Sequence, residues 1–86
     1  MAHTWLEIDD IKILYITIHG YNNIPYVKND IAEQIGVTTG SVSFRIGNFK
    51  AIMGIGNATN YAKLSKQVYD KYNMLSEVKL RELAFS

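Results

Sequence analysis

Side chains with the chemistry for catalysis or metal binding are few in this sequence, and their spacing suits neither task. The chain has no cysteine, which excludes thiolate metal ligands, cysteine nucleophiles and disulfide bonds. His3 and His19 are the two histidines, and their separation does not match a helical metal pair. Glu77-Val78-Lys79 has the Glu-x-Lys spacing of metal-dependent nucleases, but no strand is predicted before it to hold a metal ion. We therefore expect no enzyme activity, no metal site and no cofactor.

Basic side chains offer a different chemistry, because they are concentrated in the middle of the chain. The net charge is only +1, which alone is a weak indication of nucleic-acid binding. Residues 1–33 contain five acids against two bases, whereas residues 34–68 contain no acid. We call residues 34–68 the basic window, and its bases are Arg45, Lys50, Lys63 and Lys66. The window indicates either a local surface for an anionic partner or ordinary solvated side chains.

Two closely spaced helices are predicted where the basic window begins. A capping residue at Asn29 and a stop at Gly36 mark the ends of the first helix. The second helix follows a fresh capping site at Thr38 and Thr39. Its apolar stripe is formed by Val42, Ile46, Phe49 and Met53. This arrangement over residues 31–49 is typical of a helix-turn-helix, whose second helix enters the DNA major groove, although plain αα-hairpins share it.

The flanking sequence predicts further helices. Residues 8–18 have the apolar spacing of an amphipathic helix that opens at Asp9 and Asp10, although their β-branched content favours a strand. Glycines in residues 54–60 predict a loop that forms a wing or an irregular turn. Ser65 and Ser76 are the predicted caps of two helices towards the C-terminus. The predicted fold is all-α or mainly α, a helix-turn-helix or winged-helix-like bundle of four to five helices in a single domain over residues 1–86.

The order of motifs in and around the basic window resembles a known family. The motifs are a glycine turn, a Gly-Ser-Val helix start, a basic residue, an Asn-Phe pair, a glycine loop and a Lys-Leu stretch before an aromatic helix. In this sequence they are Gly36, Gly40-Ser41-Val42, Arg45, Asn48-Phe49, residues 54–56, Lys63-Leu64, Val68-Tyr69 and Tyr72. They resemble the helix-turn-helix segment that precedes HNH nuclease domains in bacterial restriction-type proteins. Because the sequence holds no His-Asn-His constellation, the resemblance implies DNA binding alone, as in a phage or mobile-element protein that regulates transcription.

Recognition helices contact bases mainly through their N-terminal half, so this half supplies the expected groove contacts. They are Thr39, Ser41, Ser43 and Arg45, with Arg45 suited to guanine or phosphate. At the backbone phosphates we expect Lys50, Lys63 and Lys66, together with the N–H groups near Thr39 and Gly40. Asn48 completes the set as an adenine contact, although satisfying local backbone groups is the role we favour. Phe44 faces outward on the helical projection, which indicates either contact with a partner or cover by another helix, and we expect the C-terminal helix to bury it.

Double-stranded DNA is thus the first expected partner, and a protein is the second. The alternative function is a protein-interaction module that uses the same scaffold to dock on a host enzyme such as a nuclease, or on a second copy as a homodimer. The six tyrosines favour that alternative, since tyrosine is enriched in interfaces. The longest strongly apolar run, residues 13–16, is too short to span a bilayer, and no basic signal-peptide head opens the chain. We expect a cytoplasmic location.

Overall fold

Five helices make up the regular structure of the chain in a computed structural model that describes residues 3–57 and 59–86. They are α1 (Glu7–His19), α2 (Lys28–Ile35), α3 (Thr39–Ile52), α4 (Lys63–Tyr72) and α5 (Glu77–Phe85). The described residues contain no β-strand, so the predicted all-α bundle is confirmed. Of the two alternatives for residues 54–60, the described part forms an irregular turn, and Ala58 lies outside the described residues.

Helix α1 is the centre of the bundle, and α3, α4 and α5 all pack against it. Its buried side chains include Ile13, Leu14 and Tyr15, which are fully inaccessible. The β-branched content that favours a strand is overridden here, because a helix enclosed on most sides takes its stability from packing and not from propensity. Ile8 and Ile18, at the two ends of the predicted apolar stripe, are exposed. The helix was therefore predicted correctly, but the prediction that the residues at both ends of the stripe are buried is wrong.

Helices α2 and α3 are joined by residues 36–38, as the sequence predicts. Gly36 ends α2 in the left-handed conformation, with φ 91°, and its N–H donates to the Ala32 carbonyl. Thr38 caps α3, since its side-chain oxygen accepts a hydrogen bond of 3.1 Å from the Ser41 N–H. The start of α2 differs from the prediction: Asp30 accepts from the Val27 N–H, and Asn29 lies inside the helix.

Helices α4 and α5 complete the bundle from the C-terminal side. Ser76 caps α5 as predicted, accepting from the Lys79 N–H at 3.2 Å. The predicted cap of α4 is wrong, because that helix already begins at Lys63 and Ser65 is fully buried within it. Tyr15 donates a 2.6 Å hydrogen bond to Glu77, which fastens α5 to α1. Burial, together with this bond to a carboxylate, raises the pKa of Tyr15 to about 12.

None of the five helices combines the length and the apolar character needed to cross a membrane, among the residues that the structure describes.

Candidate nucleic-acid interface

Helix α3 has two faces that differ sharply in burial. Its inner face packs against α1, α2 and α4, and the side chains buried there are Val42, Arg45, Asn48 and Phe49. The opposite side, which we call the outer face, consists of Thr39, Gly40, Ser43, Phe44 and Gly47. All of these are exposed except Gly47, which is half-buried. The helical period decides which residues share a face. The burial of the inner-face residues therefore also determines which residues lie on the outer face.

Arg45 lies on the inner face, which corrects the prediction that it contacts guanine or phosphate. Its guanidinium donates two hydrogen bonds to Asp10, one from Nε at 2.8 Å and one from a terminal nitrogen at 2.7 Å. Asp10 is fully buried and also accepts a hydrogen bond of 3.2 Å from Ser65. The Trp5 ring covers the guanidinium, with its centroid 4.4 Å from Cζ. Asp10 takes two of the five guanidinium donors, and the side chain, only 11% exposed, lies on the opposite side of α3 from the outer face.

Asn48 takes the local role and not the adenine contact. Its Nδ2 donates to the Phe44 carbonyl at 3.1 Å, and its Oδ1 accepts from the Ala62 N–H at 2.5 Å. The side chain is buried, so both ends of its amide are satisfied inside the protein. Asn48 thereby connects α3 to the residue that precedes α4.

Phe44 is 78% exposed, and the expectation that the C-terminal helix buries it is wrong. The reason lies in the packing of α5, whose main contact is with α1 and not with α3. An isolated exposed apolar side chain is ordinary on a protein surface. This one stands at the centre of the outer face, with Gly40 four residues before it and Gly47 three residues after it.

The predicted hydroxyl contacts divide between the cap and the outer face. Ser41 is half-buried and belongs to the cap, since Thr38 binds both its N–H and its hydroxyl. Thr39 and Ser43 are exposed on α3. Lys28, at the first position of α2, donates a hydrogen bond to the Ser43 hydroxyl. This places an ammonium group beside the outer face that sequence analysis did not select, since Lys28 lies outside the basic window.

The predicted phosphate contacts are not equivalent. Lys50 and Lys63 are exposed and form no ion pair with an acid among the described residues. Lys66 is paired with Asp70 at 2.7 Å, and the hydrogen bond between them raises the pKa of Lys66. Asp70, like Asp10, comes from outside the basic window. The window is thus free of acids in sequence, but in space two of its four bases are neutralised.

An open groove of about 440 Å³ lies between residues 23–26 and α5. Apolar side chains line much of it, including Ile24, Tyr26 and Phe85. Arg81 is in its wall, but it is paired with Glu77 at 2.9 Å. None of the predicted site residues lines this groove, so it is a surface separate from the outer face of α3.

Comparisons of the chain with protein-family models, with curated proteins and with solved structures gave no match.

Proposed function

We propose that this protein binds double-stranded DNA by placing the outer face of α3 in the major groove. The observation that carries the proposal is the outer face itself: it is solvent-accessible, holds no acidic side chain and belongs to the second of two helices joined by a three-residue turn. The major groove accommodates one α-helix, and in the helix-turn-helix arrangement the preceding helix lies across the backbone.

The proposed contacts differ from those expected from sequence. Thr39 and Ser43 offer hydroxyl groups that donate to or accept from base edges. Lys28 and Lys50 flank them and would meet backbone phosphates, with Lys63 at the start of α4 as a third cation. Arg45 and Asn48 act indirectly, because they fix α3 on the rest of the fold.

Fluorescence anisotropy with a labelled mixed-sequence duplex tests this function at low salt. Lys50→Gln and Lys79→Gln form a matched pair, since both lysines are exposed on helices and neither has an acidic partner among the described residues. Lys79 lies on α5, away from α3. We expect Lys50→Gln to weaken binding and to reduce the slope of log affinity against log salt by about 1, as for the loss of one phosphate contact.

The Lys79→Gln variant should retain both the affinity and the salt slope of the wild type. Equal losses in the two variants would mean that the duplex responds only to overall charge. An absence of binding to any duplex at low salt would contradict the proposal outright.

A second candidate function is docking on a protein, and the exposure of Phe44 is the observation that favours it. Aromatic side chains at the centre of an exposed face are typical anchors of protein interfaces. In that case Phe44→Ala would abolish a stable complex with a protein. Neither the wild type nor this variant would bind a duplex. Size-exclusion chromatography with light scattering tests the homodimer form of this alternative, since a dimer would become monomeric in Phe44→Ala.

A further inference from the structure

We infer that Phe44 determines the base specificity of this interface by packing against the 5-methyl group of thymine. The inference rests on the proposed duplex binding and deepens it, since it names the base that the surface selects and the side chain that selects it. Three observations on α3 lead to it.

The first observation is that the usual hydrogen-bonding side chains are absent from the outer face. Guanine is recognised by arginine or lysine, but Arg45 is held by Asp10 on the inner face, and the Lys28 ammonium donates to the Ser43 hydroxyl. Adenine is recognised by asparagine, but both ends of the Asn48 amide are occupied by backbone groups. Thr39 and Ser43 remain, and a hydroxyl group discriminates poorly because it both donates and accepts. Discrimination must then come from the remaining large side chain on this face, which is Phe44.

The second observation concerns the space around Phe44. Gly40 and Gly47 lie on the same face as the ring, one turn to either side, and a glycine within a helix is less favourable than an alanine. The fold requires neither glycine, since neither has a positive φ. A Cβ atom at Gly47 would meet nothing within 4 Å, and one at Gly40 would make an ordinary contact of 3.7 Å with the Thr38 hydroxyl.

Neither the backbone conformation nor the packing of the protein therefore requires glycine at these two positions, but contact with a ligand would. Without side chains at these positions, the Phe44 ring stands above its surroundings and the α3 backbone can approach the floor of a groove closely. The thymine methyl group is the apolar feature that the major groove presents there, and phenylalanine is one of the side chains that contact it.

The third observation is the charge around the ring, which favours a duplex over an apolar protein surface as the occupant. Lys28 binds the Ser43 hydroxyl, one residue from Phe44 in the chain, and Lys50 is exposed on the same helix. Helix α3 contains no carboxylate that would repel a phosphate. Cations beside a neutral, partly apolar strip match a groove floor between two phosphate backbones.

Selection from a random duplex pool, followed by replacement of thymine with uracil, tests the inference. The tightest-binding sequence is resynthesised with deoxyuridine in place of thymidine, which removes only the methyl groups. We expect the wild-type protein to bind the uracil duplex more weakly, by about fourfold for each methyl group that Phe44 covers. Phe44→Ala should bind the thymine and uracil duplexes equally, whereas Val78→Ala, a matched truncation of an exposed apolar side chain on α5, should keep the wild-type preference.

The possible results separate this inference from the function on which it rests. If no sequence is enriched and no duplex binds, the proposed function fails. If a duplex binds but lacks thymine, or binds equally well with uracil, duplex binding stands and the role of Phe44 is refuted. A thymine preference that survives in Phe44→Ala also refutes it, because another residue must then contact the methyl group. Circular dichroism of the variant establishes that it is folded, as expected for a truncation at an exposed position.

Discussion

Two neighbouring residues on opposite faces of α3 invert the usual relation between polarity and burial. Arg45 is buried and ion-paired on the inner face, while its neighbour Phe44 is exposed on the outer face. The arginine therefore contributes to the position of the helix, and the phenylalanine faces the solvent. A count of basic residues along the chain places the Arg45 charge at the surface, although the fold buries it, because charge in a sequence is not charge at a surface.

Truncation of one phenylalanine on each face gives the largest expected contrast in stability. Phe49 is fully buried on the inner face, so Phe49→Ala should lower the free energy of unfolding by about 3–5 kcal/mol. Phe44→Ala should change it by no more than about 0.5 kcal/mol, as for most surface substitutions. Urea denaturation measures both. A comparable loss in the two variants would show that the Phe44 ring is packed, and the outer face would then not be available to a ligand.

The buried ion pair gives the second test, because it separates a structural arginine from one that contacts DNA. Asp10→Asn leaves the Arg45 charge buried without a counter-ion and should cost about 3–5 kcal/mol of stability. The double variant Asp10→Leu/Arg45→Met removes both charges and should recover much of that loss, since apolar replacements of buried pairs are often tolerated.

Duplex affinity of the folded double variant then shows what Arg45 does. We expect it to match the wild type in an anisotropy titration, because Arg45 lies on the buried inner face of α3, opposite the proposed contacts. If the folded double variant binds the duplex tenfold more weakly, a loss of about 1.4 kcal/mol, then Arg45 does contact the DNA.

The smallest expected effect comes from Gly47, and here stability and binding should change in opposite directions. Gly47→Ala should raise the free energy of unfolding by about 0.5–1 kcal/mol, because alanine is the better helix former and its Cβ meets nothing within 4 Å. The same methyl group should weaken duplex binding by separating α3 from the groove. Affinity that stays constant or increases with stability would mean that no close approach occurs at Gly47.

The parts of the fold that sequence predicted correctly are those set by local contacts. Gly36, Thr38 and Ser76 act on backbone groups within a few residues, so their roles follow from the adjacent sequence. Ser65 was misassigned for the opposite reason. It looks like a helix cap, but its hydroxyl binds Asp10, 55 residues away in the chain.

The error at Arg45 has the same origin. Arg45 binds Asp10, which is 35 residues away in the chain, and no local sequence pattern predicts that pairing. Phe44 is a different case, because the helical period already placed it opposite Val42, which is fully buried. Its exposure was therefore predictable from the projection of α3, and the error came from assuming that α5 would cover it.

An NMR titration of the isotope-labelled protein with a short mixed-sequence duplex tests the central claim most directly. Non-specific duplex affinities of about 10⁻⁴ to 10⁻⁶ M are strong enough for such a titration, so knowledge of the target sequence is not needed. We predict that the largest amide shifts fall on the outer face of α3 and on Lys28. Shifts that cluster instead at the groove between residues 23–26 and α5, or no shifts at all, would contradict the account.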